Sequence, residues 1–321
     1  MKLIFVHLLS KGYFSRFRSQ WHSRCAFLYQ SYDSAVFIPK NEDEDVRREL
    51  GIGARARSWF PVADCTMQKV ITIDVWVPSR WENDTAICAR RSWPQRYALL
   101  SGAFFVFHLL RSPLLKEFEI YAKIDADVCM LKPLPIAPVL DVFGSRETLV
   151  LHTAIHPSSD CERDVLAQLR QYRQARGVRA PMDAWCSAPQ LSEIFYGNFV
   201  FYNASFMTSR AALLLTSYFY EERGDGFFRN RWGDQAVPPA LLCGTAPSVG
   251  SPALSADPRV HDGYAMRAYF RHGRYARCGR HLDEHKPVVG DVRVTESALD
   301  YARRHLTNEG LLQQSKRLSL L

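Results

Sequence analysis

Strand-like and helix-like stretches alternate along most of this chain, and a pattern of that kind folds into a sheet covered by helices. Leu3 to Leu9 and Ala35 to Ile38 read as strands, and so does Val70 to Val77, which is rich in β-branched residues and stops at Pro78. Phe118 to Ile124, Thr148 to His152 and Asn198 to Tyr202 are the next strand candidates. Helical stretches lie between them. Glu42 to Leu50 is charged and is followed by Gly51. Tyr97 to Leu110 is apolar nearly all round, as a buried helix is, and its Ser101 and Gly102 would let a neighbouring element come close. Ser159 with Glu162 spells a capping box ahead of a helix whose inner face is Val165, Leu166, Leu169 and Tyr172, with Gly177 as its stop. Ala211 to Glu222 reads as a further helix closed by Gly224, and a terminal one is expected around Glu296 to Leu306. His7, His108 and His152 sit in apolar stretches and are expected to be packed and hydrogen-bonded rather than to act as ligands.

A chain of 321 residues, 47% of them hydrophobic and without repeats or low-complexity tracts, can bury a substantial core as one continuous unit. Its net charge of +8 admits nucleic acid, an anionic membrane or a phosphorylated small molecule as partner. The arginines are scattered rather than massed in one basic footprint, so no nucleic acid is expected and a pyrophosphate-bearing ligand fits as well. The 8 cysteines form no CxxC pair, which removes zinc-finger and thioredoxin-type chemistry; their even number permits disulfides. Asn83-Asp84-Thr85 and Asn203-Ala204-Ser205 are glycosylation sequons, the second inside an expected strand. Leu3 to Leu9 is read as the first strand rather than a signal core, and Ala98 to Leu110 is too short to span a bilayer. No transmembrane segment is expected in this chain, which leaves a cytoplasmic location open.

The sharpest chemical feature is Tyr121-Ala122-Lys123-Ile124-Asp125-Ala126-Asp127-Val128. An apolar strand delivers two carboxylates, one small residue apart, so both lie on one side of the chain if it stays extended. Such a pair offers hard oxygen ligands to Mn²⁺ or Mg²⁺, which can neutralise a leaving diphosphate. A solvated turn carrying two acids is the bland alternative. The strand before the motif and the Pro-bearing apolar Leu131-Lys132-Pro133-Leu134 after it weigh against that alternative.

Trp93-Pro94-Gln95-Arg96-Tyr97 through Gly102-Ala103-Phe104-Phe105, then Ser112-Pro113-Leu114-Leu115 and Tyr121 to Asp127, resemble glycosyltransferase family 15, the fungal α-1,2-mannosyltransferases of the Golgi. Gly197-Asn198-Phe199 and Gly226-Phe227-Phe228-Arg229-Asn230-Arg231-Trp232-Gly233-Asp234 resemble a second block of that family, so the likeness runs from about Ile73 to Leu242. The resemblance implies an α/β fold of the GT-A type, a mixed, mostly parallel sheet flanked by helices. It further implies Mn²⁺, GDP-mannose as donor, retention of anomeric configuration, a glycan or glycoprotein acceptor and a Golgi or secretory-lumen location. The chain is then expected to be a single catalytic domain, residues 1–321, with a donor-binding part over about 1–145, an acceptor and catalytic part over about 146–290 and a C-terminal helix over about 291–321. UDP-sugars remain alternative donors.

Asp125 and Asp127 are the metal and donor candidates, and a metal-binding histidine of the family would correspond to His261 or His272, with His261 preferred for its place before Asp262-Gly263-Tyr264. Asp234 could orient the acceptor hydroxyl or act as its base, or cap the segment from Gln235 to Cys243. Arg96 could face donor phosphates or solvent, Asn198 could bond sugar hydroxyls or close a turn, and Trp232 could be a sugar platform or core. The family's strand carries a glutamate where this chain has Val200. A front-face mechanism, another carboxylate in that role, or a carbohydrate-binding relative without turnover would each accommodate the change; Asp125 and Asp127 together speak against the last.

Overall fold

The computed structural model describes residues 1–14, 17, 24, 32–50, 69–74, 99–126, 128–130, 136–144, 150–152, 155–157, 162, 164–177, 193–195, 199–223, 230, 232–245 and 275–277. In chain order the elements begin with β1 (Leu3–Leu8), β2 (Asp33–Pro39), α1 (Asp43–Leu50), β3 (Lys69–Ile73) and α2 (Leu99–His108). Next come β4 (Ile120–Ile124), β5 (Val128–Met130), α3 (Ala137–Gly144), β6 (Val150–His152), β7 (Ile155–Pro157), α4 (Val165–Arg176), β8 (Glu193–Phe195) and β9 (Phe199–Asn203). The remainder are α5 (Ala204–Met207), α6 (Arg210–Ser217), α7 (Val237–Thr245) and β10 (Tyr275–Arg277). Among the described residues the main sheet has the order β3-β2-β1-β4-β9-β6, and β10-β5 and β7-β8 form two small ribbons. β1 runs parallel to β4, with Leu3 opposite Ile120 and Val6 opposite Lys123, while β6 runs antiparallel to β9. The sheet is mixed and mostly parallel, as expected of the fold class.

The chain divides into two compact units. One gathers Met1–Val6, Ile73–Lys123 and Ala137–Arg267; the other gathers His7–Thr72, Ile124–Ile136 and Ala268–Leu321. In the first, strand faces supply rings to the core: Phe5 meets Phe201 edge-on at 6.4 Å, and Tyr121 stacks on Tyr202 at 5.0 Å. Helix α2 is wound with π-type turns and buries Ala103, Phe104, Phe105, Val106 and Phe107, so its apolar composition is matched by burial on nearly every side. In the second unit Phe17, Val36, Phe37, Ile38 and Val46 are buried, and the Leu9 amide donates to the Phe37 carbonyl at 2.9 Å.

Several sequence signals are visible in the backbone. Gly177 ends α4 at φ 61°, the left-handed value a C-terminal glycine adopts at little cost. The N-cap of that helix is Asp164, which makes no side-chain cap; Glu162 is buried, and Ser159, its partner in the expected capping box, lies outside the described residues. The strand read as Asn198 to Tyr202 is Phe199–Asn203. Asn203 is therefore the strand's last residue and the N-cap of α5, its Oδ1 accepting from the Phe206 amide at 2.9 Å. Ala211 to Glu222 is α6 continued by a π-type turn over Tyr218–Glu222. The terminal helix around 296–306 lies outside the described residues.

Candidate functional site

In the first unit the chemistry centres on Lys123 and Asp234. β4 is buried along its whole length, so the one charged residue in it, Lys123, is carried into the core and is fully buried. An ammonium in that position needs a counter-charge. Lys123 Nζ donates to Asp234 Oδ2, and the same Nζ lies 4.5 Å from the Phe105 ring centroid, within cation–π range. The Asp234 side chain keeps 15% exposure. It sits in a turn ahead of α7, whose helical bonding starts with the Val237 amide donating to the Gly233 carbonyl at 3.0 Å. The Asp234 carboxylate thus bonds a lysine rather than a helix amide, and the capping alternative does not hold.

A close backbone crossing fixes that turn. A Cβ built on Gly102 of α2 would stand 3.0 Å from Gly233 Cα, and one built on Gly233 would stand 3.2 Å from Gly102 Cα. Only two glycines let the segments approach so nearly, which is the close packing expected of Gly102. Trp232, next in line, is 3% exposed and meets Phe219 edge-on at 5.6 Å. Its Nε1 is buried without a hydrogen-bond partner among the described residues. A platform for a sugar needs an open ring face, so Trp232 belongs to the core, the other of its two sequence readings. His108, in the same unit, is packed as expected: its Nε2 stands 3.4 Å from the Tyr220 hydroxyl, and burial, with the Arg111 charge adding, lowers its pKa to about 4.

In the second unit the residue of interest is Asp125, half-buried directly after β4 at the carboxyl end of the strand. Ligands of open α/β sheets gather at that edge. The turn that follows is closed by the Val128 amide donating to the Asp125 carbonyl at 3.2 Å, and Ala126 is buried beneath it. Two buried side chains hold this stretch. His7 Nδ1 lies 3.2 Å from the Ile124 carbonyl and 3.4 Å from Arg24 Nη1. Burial holds the His7 imidazole well below its ordinary range, with the Arg24 charge pushing the same way and the bond to Ile124 opposing. Arg24 spends its guanidinium on the Asp125 and Val128 carbonyls.

Of the residues singled out in sequence, Asp125, Trp232 and Asp234 are described, while Arg96, Asp127, Asn198, His261 and the alternative His272 lie outside the described residues. Among the described residues no group of three His, Cys, Asp or Glu side chains gathers as a metal site. Two residues escaped the sequence reading. Lys123 had a signal, a lone charge inside a strand otherwise apolar, whereas Arg24 had none. Cys243, in α7, is disulfide-bonded.

No protein-family model matches the chain, and no curated protein matches it by sequence. Solved structures do. The core-mannan synthase CmsA/Ktr4 of Aspergillus fumigatus, in a Mn/GDP form, superposes with a TM-score of 0.58 at 13% identity, over 79% of this chain and 72% of that one. The mannosyltransferase Ktr4p of S. cerevisiae superposes with a TM-score of 0.56 at 15% identity, over 75% of this chain. The fold is the one these structures share. The GDP complex of the yeast protein gives a TM-score of 0.58 at 14% identity. The chain spans 65% of the length of the yeast mannosyltransferase. At these identities the likeness establishes architecture, and the family resemblance read from the motifs is matched at that level.

Proposed function

We propose that the chain is a metal-dependent glycosyltransferase that moves a sugar from a nucleotide-sugar donor to a hydroxyl of a glycan or glycoprotein, acting as one catalytic domain. The observation that carries this is Asp125 at the carboxyl end of central strand β4 in a fold shared with a core-mannan synthase in its Mn/GDP form. Asp125 and Asp127 are the proposed metal ligands, with His261 the candidate third. The fit rests on the donor set: carboxylate oxygens and an imidazole suit Mn²⁺, and the carboxylates suit Mg²⁺. A bound ion there supplies Lewis-acid stabilisation of the departing nucleoside diphosphate. Arg96 would add positive charge at the phosphates and Asn198 a hydrogen bond to the donor sugar. Asp234, anchored through Oδ2 by Lys123, keeps its other oxygen to accept from the attacking hydroxyl.

GDP-mannose is the favoured donor and α-1,2 retention the favoured outcome, both from the motif likeness, and the guanine nucleotide is in keeping with the GDP-bound neighbours. A Golgi or other secretory-lumen location is supported by the disulfide at Cys243, which needs an oxidising compartment. No helix among the described residues is long and apolar enough to cross a membrane. A second reading, a sugar-binding relative without turnover, is favoured by one observation. Val200, where the family has a glutamate, is fully buried in β9, so that strand position offers no carboxylate.

Purified chain incubated with Mn²⁺ and a panel of GDP- and UDP-sugars separates the two. Metal-dependent transfer that stops with EDTA and with Asp127→Ala supports the enzyme. Donor binding with no turnover of any sugar supports the binding protein.

A further inference from the structure

We propose that Arg24 is a positioning residue for the acid-bearing turn, its guanidinium fixing the backbone on which Asp125 is mounted. This rests on the metal-site reading above and goes beyond it to a residue that no motif marks. Arg24 is fully buried. A buried guanidinium is costly unless its donors meet acceptors, so the fold has an energetic reason to bring carbonyls to it. Nε donates to the Val128 carbonyl at 3.0 Å, and Nη2 donates to the same carbonyl at 2.7 Å and to the Asp125 carbonyl at 2.6 Å. Nη1 lies 3.4 Å from His7 Nδ1, and His7 in turn holds the Ile124 carbonyl. Phe17 lies against the group, its ring centroid 5.2 Å from the guanidinium carbon.

The consequence is geometric. Peptide planes are rigid, so fixing the carbonyls of Ile124, Asp125 and Val128 fixes both ends of the turn and the direction in which the Asp125 side chain leaves it. The turn's own bond, Val128 amide to Asp125 carbonyl, joins the two carbonyls that Arg24 grips. A planar fork does this and a lysine does not: an ammonium keeps the charge but cannot span two carbonyls in fixed directions. Arg24 therefore stands to the metal ligands as an outer partner that orients them.

The test compares Arg24→Lys with Leu166→Ala, a core truncation at a fully buried site on α4 in the other unit. Two readouts are taken on folded protein: amide hydrogen exchange of the peptide covering residues 124–130 without metal, and Mn²⁺ affinity by electron paramagnetic resonance. Arg24→Lys should speed exchange in that peptide and weaken Mn²⁺ binding by about tenfold or more, while Leu166→Ala does neither. If Arg24→Lys does not fold, Arg24→Gln, which retains two amide donors, takes its place. Unchanged exchange in the arginine variant, or equal losses in both variants, overturns the proposal. A wild-type chain that binds no Mn²⁺ sinks the metal reading instead, and the exchange comparison then decides the clamp alone.

Discussion

Replacing Asp234 by leucine should expose how much the fold depends on the buried pair. Lys123 is fully buried and Asp234 15% exposed, so the substitution takes the carboxylate away from an ammonium in the core, 4.5 Å from the Phe105 ring centroid. Breaking a buried pair from one side costs about 3–5 kcal/mol, and a cation–π contact recovers about 1–2 of that. We expect a net loss of about 1–4 kcal/mol for Asp234→Leu. With a urea slope near 3 kcal/mol per molar, the midpoint should fall by about 1 M. The double variant Lys123→Met with Asp234→Leu removes both charges and fills the space with apolar atoms. Such replacements are neutral or stabilising in other proteins, so stability should return to within about 1 kcal/mol of the wild type. Sugar transfer should not return, because the carboxylate proposed to receive the acceptor hydroxyl is gone. Urea unfolding followed by circular dichroism and a GDP-mannose turnover assay read the two effects separately. A single variant that loses less than about 1 kcal/mol would place the pair in the class of surface bridges and refute the burial argument. A double variant that transfers sugar normally would remove Asp234 from the reaction.

The remaining predictions concern stability. Gly102→Ala forces a methyl against Gly233 Cα and should cost about 1–3 kcal/mol, with transfer reduced beyond the stability loss because the turn carrying Asp234 must move; thermal unfolding and kcat check it. His108 titrates at about 4 against an ordinary 6.5, so the unfolded chain takes up the proton first as pH falls. Stability should therefore drop between about pH 6.5 and pH 4, by on the order of 3 kcal/mol, and His108→Leu should flatten that part of the urea-midpoint profile. Reduction of the disulfide at Cys243 should lower stability by about 2–5 kcal/mol, measured as a thermal shift with dithiothreitol and absent in Cys243→Ala.

What could be read in the sequence was set by local physics. Strands β1, β2 and β4 stood out because apolar runs of that length bury on both faces, and the stop of α4 stood out because Gly177 tolerates a left-handed backbone. The crossing of α2 by another segment was legible in Gly102, but not its partner, since Gly233 is distant in sequence and looked like part of a motif. Asp164 as the N-cap of α4 was not legible, because nothing in the local pattern singles it out from the nearby Ser-x-x-Glu spacing. Lys123 could have been flagged, since a charge in a buried strand demands a partner; that the partner was Asp234 could not. Arg24 was out of reach altogether, because its worth lies in carbonyls about a hundred residues away and backbone acceptors leave no mark on composition.

The pairing of Lys123 with Asp234 also bears on how the proposed transfer could proceed without the glutamate of the family that the motifs resemble. A protein nucleophile needs a carboxylate oxygen with its lone pairs directed at the anomeric carbon. Val200 offers none, and Asp234 has one oxygen committed to a buried ammonium that neutralises its charge. What such a carboxylate still does well is accept a hydrogen bond from a fixed direction, because a partner that cannot move holds it in place. Under the proposed function Asp234 would orient the incoming hydroxyl rather than attack the sugar, a role that fits a front-face route in which donor and acceptor react without a glycosyl-enzyme intermediate. Mass spectrometry of the protein quenched during turnover decides: a mass increase of one hexose on Asp234 would overturn this assignment, and an unmodified chain in the presence of continuing transfer is the expected result.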